Sequence, residues 1–287
     1  MSMISLSRGD DDIYSTKEND GTSAAPTTSC TKNSHDDNPL TQLNLPTPLL
    51  LGSASFTRKL ILSQMNIPIH PLVRPIDEKA LGNRSKNANP MDLVLEVASA
   101  KMDHLLNEIR AGNCVDDMPI SRRPSSFSTT TNDDDGVDDA ATPTTDDEWI
   151  ILTGDQVVLS QQEILEKPNS IEQAKQYISG YATSSCSTIG SCILTHLPSG
   201  IRVSGVDTAT IHFKSTINDG GGALVDQLLL EGAPILSCAG GLMIEHPLVR
   251  QHVDRIDGTE DSVMGLSKEL VMRLLIELKE KLEEYNK

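Results

Sequence analysis

Hydroxyl-bearing and basic side chains are concentrated in one short string of the chain, GSASFTRK at Gly52–Lys59. Three leucines, Leu49–Leu51, precede the string and indicate a buried strand, and Ser53 or Ser55 can cap a helix after it. The free N–H groups and the dipole at a helix N-terminus favour an anion, and the two cations of the string add to that preference. The string therefore suits a triphosphate. The alternative is an ordinary helix cap followed by surface cations.

A second group of ionisable residues surrounds an acidic turn. Asp155 follows WIIL at Trp149–Leu152, which indicates another buried strand, and EILEKP follows at Glu163–Pro168. A carboxylate at the tip of a strand, with an acid and a lysine further on, can bind a divalent ion, activate water and anchor a phosphate. A β-turn aspartate with solvated charges is the alternative. Glu78 in PIDEK and Lys101 in VASAK, each taken alone, would be surface charges.

The overall composition restricts the class of partner. A formal net charge of −17 disfavours a nucleic-acid backbone or an anionic membrane surface. The five cysteines are odd in number and never spaced as CxxC, which argues against a disulfide framework and a zinc site. No apolar run approaches the roughly 20 residues of a membrane span, and the N-terminus is acidic, unlike a transit peptide. We therefore expect a cytoplasmic protein without a nucleic-acid or membrane partner.

The chain is uneven in composition, and this predicts its domain organisation. Residues 1–43 and 113–147 are rich in Asp, Ser, Thr and Asn, so we expect a disordered acidic tail and a disordered insertion in a surface loop. A long surface loop adds only a logarithmic closure cost. Residues 44–287 are therefore expected to form a single domain around the insertion.

Within that domain, strand and helix signals alternate. The predicted strands are Leu49–Leu51, Trp149–Leu152 and a hairpin of Ser187–His196 with Ile201–Phe213. Five helices are predicted: from Ser53 or Ser55 through Met65, over Leu93–Leu106, from a capping box at Ser170 and Gln173 to Gly180, around Leu224–Leu230, and onward from Ser267. This mixture predicts an α/β or α+β fold.

Six strings, taken in order from about Pro46 to Leu278, resemble the Maf family of nucleoside triphosphate pyrophosphatases. The strings are LLLGSASFTRKLIL, IDE at Ile76–Glu78, the VASAK lysine, GDQVV with EILEKP, SCAGGLMIE at Ser237–Glu245, and RIDGTEDSVMGLS at Arg255–Ser267. The resemblance implies an α/β fold of the Maf and ITPase-like kind, with a mixed twisted sheet, flanking helices and a central cleft. It also implies hydrolysis of a nucleoside triphosphate to the monophosphate and pyrophosphate, and a homodimer.

The same resemblance implies a role for each candidate residue. Asp155 would be the catalytic carboxylate that prepares water for attack on the α-phosphorus, and Glu78 would join it in coordinating Mg²⁺ or Mn²⁺. Phosphate contacts are implied for three cations and two hydroxyls: Arg58, Lys101 and Lys167 would neutralise the triphosphate and the leaving pyrophosphate, and Ser53 and Ser55 would donate to phosphate oxygens.

The chain departs from the family pattern at three places. Phe56 stands where Pro is usual and Thr57 where an arginine is common, so the phosphate loop has one cation fewer. SGYAT at Ser179–Thr183 replaces SGRTH, and it lacks the basic residue and the histidine. Contacts made by those family side chains are therefore absent from this chain.

Two positions bear on which nucleotide base the protein selects. Family members acting on dTTP or UTP carry GADT at the acidic turn and a later Gln, whereas this chain has Gln156 and Glu245, as in the branch associated with 7-methyl-GTP. Guanine presents two adjacent donors that one carboxylate can accept. This favours a purine, with Phe56 as a possible replacement for the aromatic ring of that branch. The alternative is that Glu245 is a solvated loop acid and Gln156 a neutral spacer.

Two other functions remain open from the sequence. A non-catalytic nucleotide-binding regulator of cell division would share the pocket, but it would not need a water-activating acid at Asp155. Serines and threonines of the tail and the insertion resemble kinase-accessible sites, which would add regulation to an enzyme.

Overall fold

The computed structural model of the protein describes residues 37–86, 88–114, 117–119, 148–218 and 222–287. The described residues belong to one compact unit. Most of the predicted tail and of the predicted insertion lies outside these ranges. No helix within the described ranges is long and apolar enough to cross a membrane.

The described residues contribute eight strands to one sheet, and helices lie on both of its faces. The strands are β1 (Leu49–Leu51), β2 (Ile69–Pro71), β3 (Trp149–Thr153), β4 (Gln156–Ser160), β5 (Glu163–Leu165), β6 (Cys186–Leu197), β7 (Arg202–Phe213) and β8 (Val253–Asp257). The α-helices are α1 (Pro39–Gln42), α2 (Phe56–Gln64), α3 (Pro90–Arg110), α4 (Ile171–Tyr181), α5 (Ala223–Leu230), α6 (Pro247–Arg250), α7 (Glu260–Met264) and α8 (Lys268–Tyr285), and short 3₁₀ turns lie at Glu78–Ala80, Ser215–Asn218, Ile235–Ser237 and Ala239–Gly241.

The sheet is mixed, and β6 is its central strand. Strands run in the order β2-β1-β3-β6-β4-β5, and β7 pairs with β6 and β8. β1 is parallel to β2 and β3, whereas β6 is antiparallel to β3, β4 and β7. β3 pairs with the second half of β6 and β4 with the first half, so β3 and β4 follow one another along the same edge of β6. The two residues between them, Gly154 and Asp155, mark the junction.

The hydrophobic core explains why helices flank both faces of the sheet. Leu49 and Leu51 pack with α2 and α8 on one face, and Leu50 packs with α3 on the other. A run of three apolar residues is therefore buried on both sides, as expected for a parallel strand. The second half of the sheet has its own cluster with α4, α5 and α7. The observed architecture confirms the predicted α/β fold with a mixed sheet and flanking helices.

Local signals located several elements well. Ser170 accepts a hydrogen bond from the Gln173 amide at 3.2 Å, which confirms the helix start that the capping box predicted. The long hairpin of β6 and β7 matches its prediction within one residue at each strand end. The shorter elements β2, β4, β5, β8, α1, α6 and α7 were not predicted.

The structured part of the chain begins earlier than composition predicts. Asn38 caps α1 by accepting from the Leu40 amide at 3.0 Å, and Leu40 is fully buried in the core. At the other predicted boundary, Cys114 is buried under α3, and Asp117 forms an ion pair with Arg74 at 2.6 Å. The average composition of a polar stretch does not reveal the few residues within it that pack on the core. α1 and Cys114 therefore pack on the core, although composition alone places them in the tail and in the insertion.

Candidate active site

Asp155 lies at the junction of β3 and β4, where its backbone amide and carbonyl both hydrogen-bond Ser191 of β6. The Ser191 amide donates to the Asp155 carbonyl at 2.9 Å, and the Asp155 amide donates to the Ser191 hydroxyl at 3.1 Å. That hydroxyl in turn donates to the Val94 carbonyl of α3 at 2.8 Å. A side chain at position 154 would collide with the Ser191 carbonyl, so Gly154 is required for this close approach. The fold thus fixes the point from which the carboxylate projects.

Lys101 brings the two candidate carboxylates together. Its Nζ lies 2.7 Å from Asp155 Oδ1 and 2.9 Å from Glu78 Oε1, and its side chain is only 15% exposed. Lys101 projects from α3, the helix that packs on β3 and β6. Three residues that the sequence separates widely therefore form one charged cluster at the end of β3.

The two carboxylates of this cluster have pKa values shifted in opposite directions. Desolvation raises the pKa of Asp155, and the opposing attraction of Lys101 does not cancel that effect. Glu78 is also partly desolvated, but its hydrogen bond to Lys101 and the positive charges around it hold its pKa below the ordinary value. Two acids with such different environments are suited to different roles, one as a proton acceptor and one as a permanent anion.

Arg58 connects the loop before α2 with the β3–β4 junction and with the residue that follows α7. Its Nη1 donates to Ser53 Oγ at 3.1 Å and to the Gly154 carbonyl at 2.9 Å, and its Nε donates to the Gly265 carbonyl at 3.0 Å. The residue is 7% exposed, and burial lowers its pKa, although a guanidinium keeps its charge in proteins. Across the described residues, Arg58 forms no ion pair within 4.0 Å. Its positive charge is balanced only by neutral hydrogen bonds and by more distant acids such as Asp155.

The two serines of the loop before α2, Ser53 and Ser55, have different environments. Ser55 caps α2, since its Oγ accepts from the Arg58 amide at 3.4 Å, and it also hydrogen-bonds the Thr57 hydroxyl at 2.9 Å. Ser53 is buried and accepts from both Arg58 and the Ser55 amide. Phe56 is 72% exposed at the first position of α2. The predicted strand, loop and capped helix are therefore all present.

Lys167 follows β5 and is exposed. After the closer Lys101, its positive charge also helps to hold the pKa of Glu78 below the ordinary value. In the parts of the chain that are described, Lys167 has no hydrogen bond or ion pair to a protein group. Its ammonium is thus available to an anion that enters from solvent.

The side chains of the two candidate base-selecting residues, Gln156 and Glu245, differ in the contacts that they make within the protein. The Gln156 amide nitrogen donates to the carbonyls of Val263 at 2.9 Å and Ser262 at 3.4 Å, so it holds the backbone of α7. Glu245 lies between the Ala239–Gly241 turn and α6, is half-buried, and forms no ion pair among the described residues. Burial raises the pKa of Glu245. Glu245 is therefore the freer of the two to accept from a ligand.

Tyr181 occupies the place of the basic residue that the SGYAT string lacks. Its hydroxyl donates to the Gly240 carbonyl at 2.7 Å, and its ring stacks on Phe213 with centroids 5.7 Å apart. Gly240 has φ 64°, and a side chain there would collide with the Tyr181 hydroxyl and with Val158. Tyr181 thus fixes the glycine turn that leads to Glu245.

Sequence reasoning missed two charged residues beside the cluster. Arg84 forms a two-point ion pair with Glu166, with Nε–Oε2 at 2.8 Å and Nη2–Oε1 at 3.0 Å. Arg84 lies in a polar loop without periodicity, so no local signal marked it. Glu166 lies within the EILEKP string but carried no separate assignment.

A family sequence model and two characterised relatives show which proteins this chain is similar to. The sequence model of a family described as Maf-like protein matches residues 48–278. A 7-methyl-GTP pyrophosphatase of Dictyostelium discoideum is 27% identical over 228 residues, which cover 79% of this chain and 95% of that protein. A dTTP/UTP pyrophosphatase of Salinibacter ruber is 26% identical over 238 residues, which cover 83% of this chain and 93% of that protein. Because the family model spans most of the chain and includes every residue of the charged cluster, the protein belongs to the Maf-like protein family.

Proposed function

We propose that the protein is a nucleoside triphosphate pyrophosphatase, which hydrolyses its substrate to a nucleoside monophosphate and pyrophosphate. The observation that carries this proposal is the cluster of Asp155, Glu78 and Lys101 next to the buried cation Arg58. The cluster lies where the parallel strands β1 and β3 end, the edge at which open α/β sheets bind ligands. Two relatives covered almost end to end are named as pyrophosphatases of nucleoside triphosphates.

In this proposal Asp155 accepts a proton from the attacking water. The water oxygen forms a bond to the α-phosphorus, the bond from that phosphorus to the bridging oxygen breaks, and its electron pair leaves with pyrophosphate. Burial raises the pKa of Asp155, so its carboxylate is a stronger base than that of an ordinary aspartate. A general base is also more efficient when its pKa lies closer to the working pH. The buried position of Asp155 thus serves the chemistry.

The cations of the site bind and neutralise the phosphates. Arg58 is already oriented by three hydrogen bonds, so little reorganisation is needed when charge develops on the leaving group. Lys101 can donate to a phosphate oxygen while it remains near Asp155, and the exposed Lys167 can bind the far end of the triphosphate. Ser53 and Ser55 would donate from the loop at the start of α2.

The donor set fits a hard divalent cation such as Mg²⁺ or Mn²⁺. Asp155 Oδ1 and Glu78 Oε1 flank the Lys101 ammonium at 2.7 and 2.9 Å, and the second oxygen of each carboxylate is a hard ligand of the kind such an ion prefers. No group of three or more His, Cys, Asp or Glu side chains among the described residues could hold a metal alone. Substrate oxygens and water would therefore complete the coordination, as is usual for Mg²⁺. Such an ion, when bound, neutralises phosphate charge.

A purine of the 7-methyl-GTP type is the favoured substrate. The supporting observation is Glu245, a half-buried carboxylate that faces no cation within ion-pair distance in the described part of the chain. Its oxygens can accept from the adjacent N1–H and amino groups of guanine. Gln156 remains a second candidate for base selection, although its amide nitrogen donates to the Val263 carbonyl of α7.

We further propose a cytoplasmic homodimer without a nucleic-acid or membrane partner. The net charge of −17 supports the absence of polyanionic partners, because like charges repel. Sedimentation at several protein concentrations tests the dimer, and a single monomeric species at all of them contradicts it.

A panel of canonical and base-methylated nucleoside triphosphates, with Mg²⁺ or Mn²⁺ present, tests the activity. The expected product is pyrophosphate, and orthophosphate is expected only if a second phosphatase is added. Stoichiometric nucleotide binding without turnover across the panel would instead identify a non-catalytic regulator.

A further inference from the structure

We propose that the Arg84–Glu166 ion pair positions Glu78 and Lys167 in the active site. Each of the three guanidinium nitrogens of Arg84 and each carboxylate oxygen of Glu166 has a hydrogen-bond partner within the protein. This inference rests on the proposed function only for the roles of Glu78 and Lys167. It follows from the contacts that connect two short segments on either side of the charged cluster.

Arg84 uses all three of its nitrogens to connect these segments. Two of them contact the Glu166 carboxylate at 2.8 and 3.0 Å. Nη2 also donates to the backbone carbonyl of Glu78 at 2.8 Å, and Nη1 donates to the carbonyl of Leu81. Arg84 is therefore bound both to the backbone of Glu78 and to the residue that precedes Lys167. A guanidinium is suited to this function because its donors form a rigid planar fork.

Glu166 extends the connection to a third segment. Its backbone carbonyl accepts from the Gly240 amide at 2.9 Å, in the turn that Tyr181 also holds. The segment of Glu78, the segment of Lys167 and the turn before Glu245 thus all meet at Glu166. A shift of this residue would displace a phosphate-binding group and a base-binding group together.

Besides Arg84, the segment that carries Glu78 is held by the contact of Glu78 with Lys101 and by the Gly82 amide, which donates to Glu96. It consists of a three-residue 3₁₀ turn and a polar loop, none of whose residues from Glu78 to Lys86 is fully buried. A second contact, from Lys79 Nζ to Asn169 Oδ1 at 3.0 Å, joins the same two segments but is exposed. Without the Arg84–Glu166 ion pair, ordering this loop around a bound triphosphate would cost conformational entropy at the moment of binding.

Paired substitutions test the proposal. Arg84→Ala, Glu166→Ala and the double variant are compared with Arg202→Ala, which removes another partly exposed ion pair, Arg202 with Asp103 at 2.6 Å. We expect each single change at the Arg84–Glu166 ion pair to lower kcat/KM by roughly threefold to thirtyfold, and the double variant to fall no further than Arg84→Ala. Arg84→Lys keeps the charge but loses the two-point contact, so it should resemble Arg84→Ala.

A binding measurement separates positioning from general stability. A triphosphate with a non-hydrolysable α,β-methylene bridge should bind the Arg84 and Glu166 variants several-fold more weakly at a temperature where all remain folded. Glu166→Gln, which preserves shape, is the variant to use if an alanine variant does not fold. Effects equal to those of Arg202→Ala, or effects of the two single changes that simply multiply, overturn the proposal. If the unaltered protein binds this analogue but turns over no substrate, the proposed function fails while the binding comparison still decides the role of the pair.

Discussion

The ammonium of Lys101 lies 2.7 Å from the carboxylate of Asp155, although burial raises the pKa of that carboxylate above its ordinary value. Lys101 therefore stabilises the ionised form of Asp155, but by less than the loss of hydration on burial destabilises it. If Asp155 is the base that we propose, the balance between these two effects sets the pH range in which it acts.

Replacement of Lys101 by Met should move the acid limb of the pH–rate profile. Lys101 lowers the pKa of Asp155, so its removal raises that pKa further, and the base becomes protonated at a higher pH. As pH falls, kcat/KM should therefore decline sooner in Lys101→Met than in the unaltered protein. Profiles of kcat/KM from about pH 4 to pH 9 make the comparison. An acid limb that stays in place would show that Asp155 is not the titrating base.

Asp155→Asn should retain nucleotide binding and lose turnover. The substitution preserves shape and the backbone contacts to Ser191 but removes the proton acceptor. We expect kcat to fall by a factor on the order of 10² to 10⁴. Affinity for the non-hydrolysable triphosphate, measured by calorimetry, should change little. Full activity of this variant would contradict the role given to Asp155.

Glu245→Gln should change the choice of base more than the rate of the chemical step. Loss of one charge-assisted contact should lower purine kcat/KM by roughly tenfold to a few hundredfold, while kcat for the best pyrimidine changes little or improves. The ratio of the two substrates is the quantity to measure. If every nucleotide lost turnover alike, Glu245 would belong to the catalytic group instead.

Tyr181→Phe should loosen the turn that precedes Glu245. The change removes a buried O–H donor to the Gly240 carbonyl at 2.7 Å and keeps the ring that stacks on Phe213. We expect a loss of about 1 to 3 kcal/mol in the free energy of unfolding, because a buried acceptor is left unpaired. KM for the preferred nucleotide should rise in parallel. Denaturant unfolding with Tyr177→Phe as the control measures the first effect, and equal unfolding midpoints would contradict it.

Two truncations test where the folded part of the chain begins. Removal of residues 1–36 should leave the thermal midpoint nearly unchanged, since the composition of that stretch predicts little core. Removal of residues 1–43 also takes away the fully buried Leu40, and loss of such a side chain costs about 2 to 5 kcal/mol. Calorimetry should therefore distinguish the two truncations by several degrees. Equal midpoints would show that α1 contributes nothing to the core.

The sequence by itself determined several of the local elements and the types of residue at the site. The capping serines, the leucine strand and the strand that leads to Asp155 depend on neighbours within a few positions, so periodicity and cap chemistry predict them. The charge and chemistry of Arg58, Lys101 and Lys167 are also properties of the residues alone. Their roles in binding substrate remain predictions.

Tertiary structure decided which of these residues meet. Lys101 reaches Asp155 across 54 positions and Arg58 reaches Gly265 across 207, and no local pattern carries that information. The contact between Arg84 and Glu166 spans 82 positions and joins two loops without periodicity. Such contacts depend on how β3 and β4 share one edge of β6 and on how α3 packs across it, and the direction of each pKa shift depends in turn on the resulting burial.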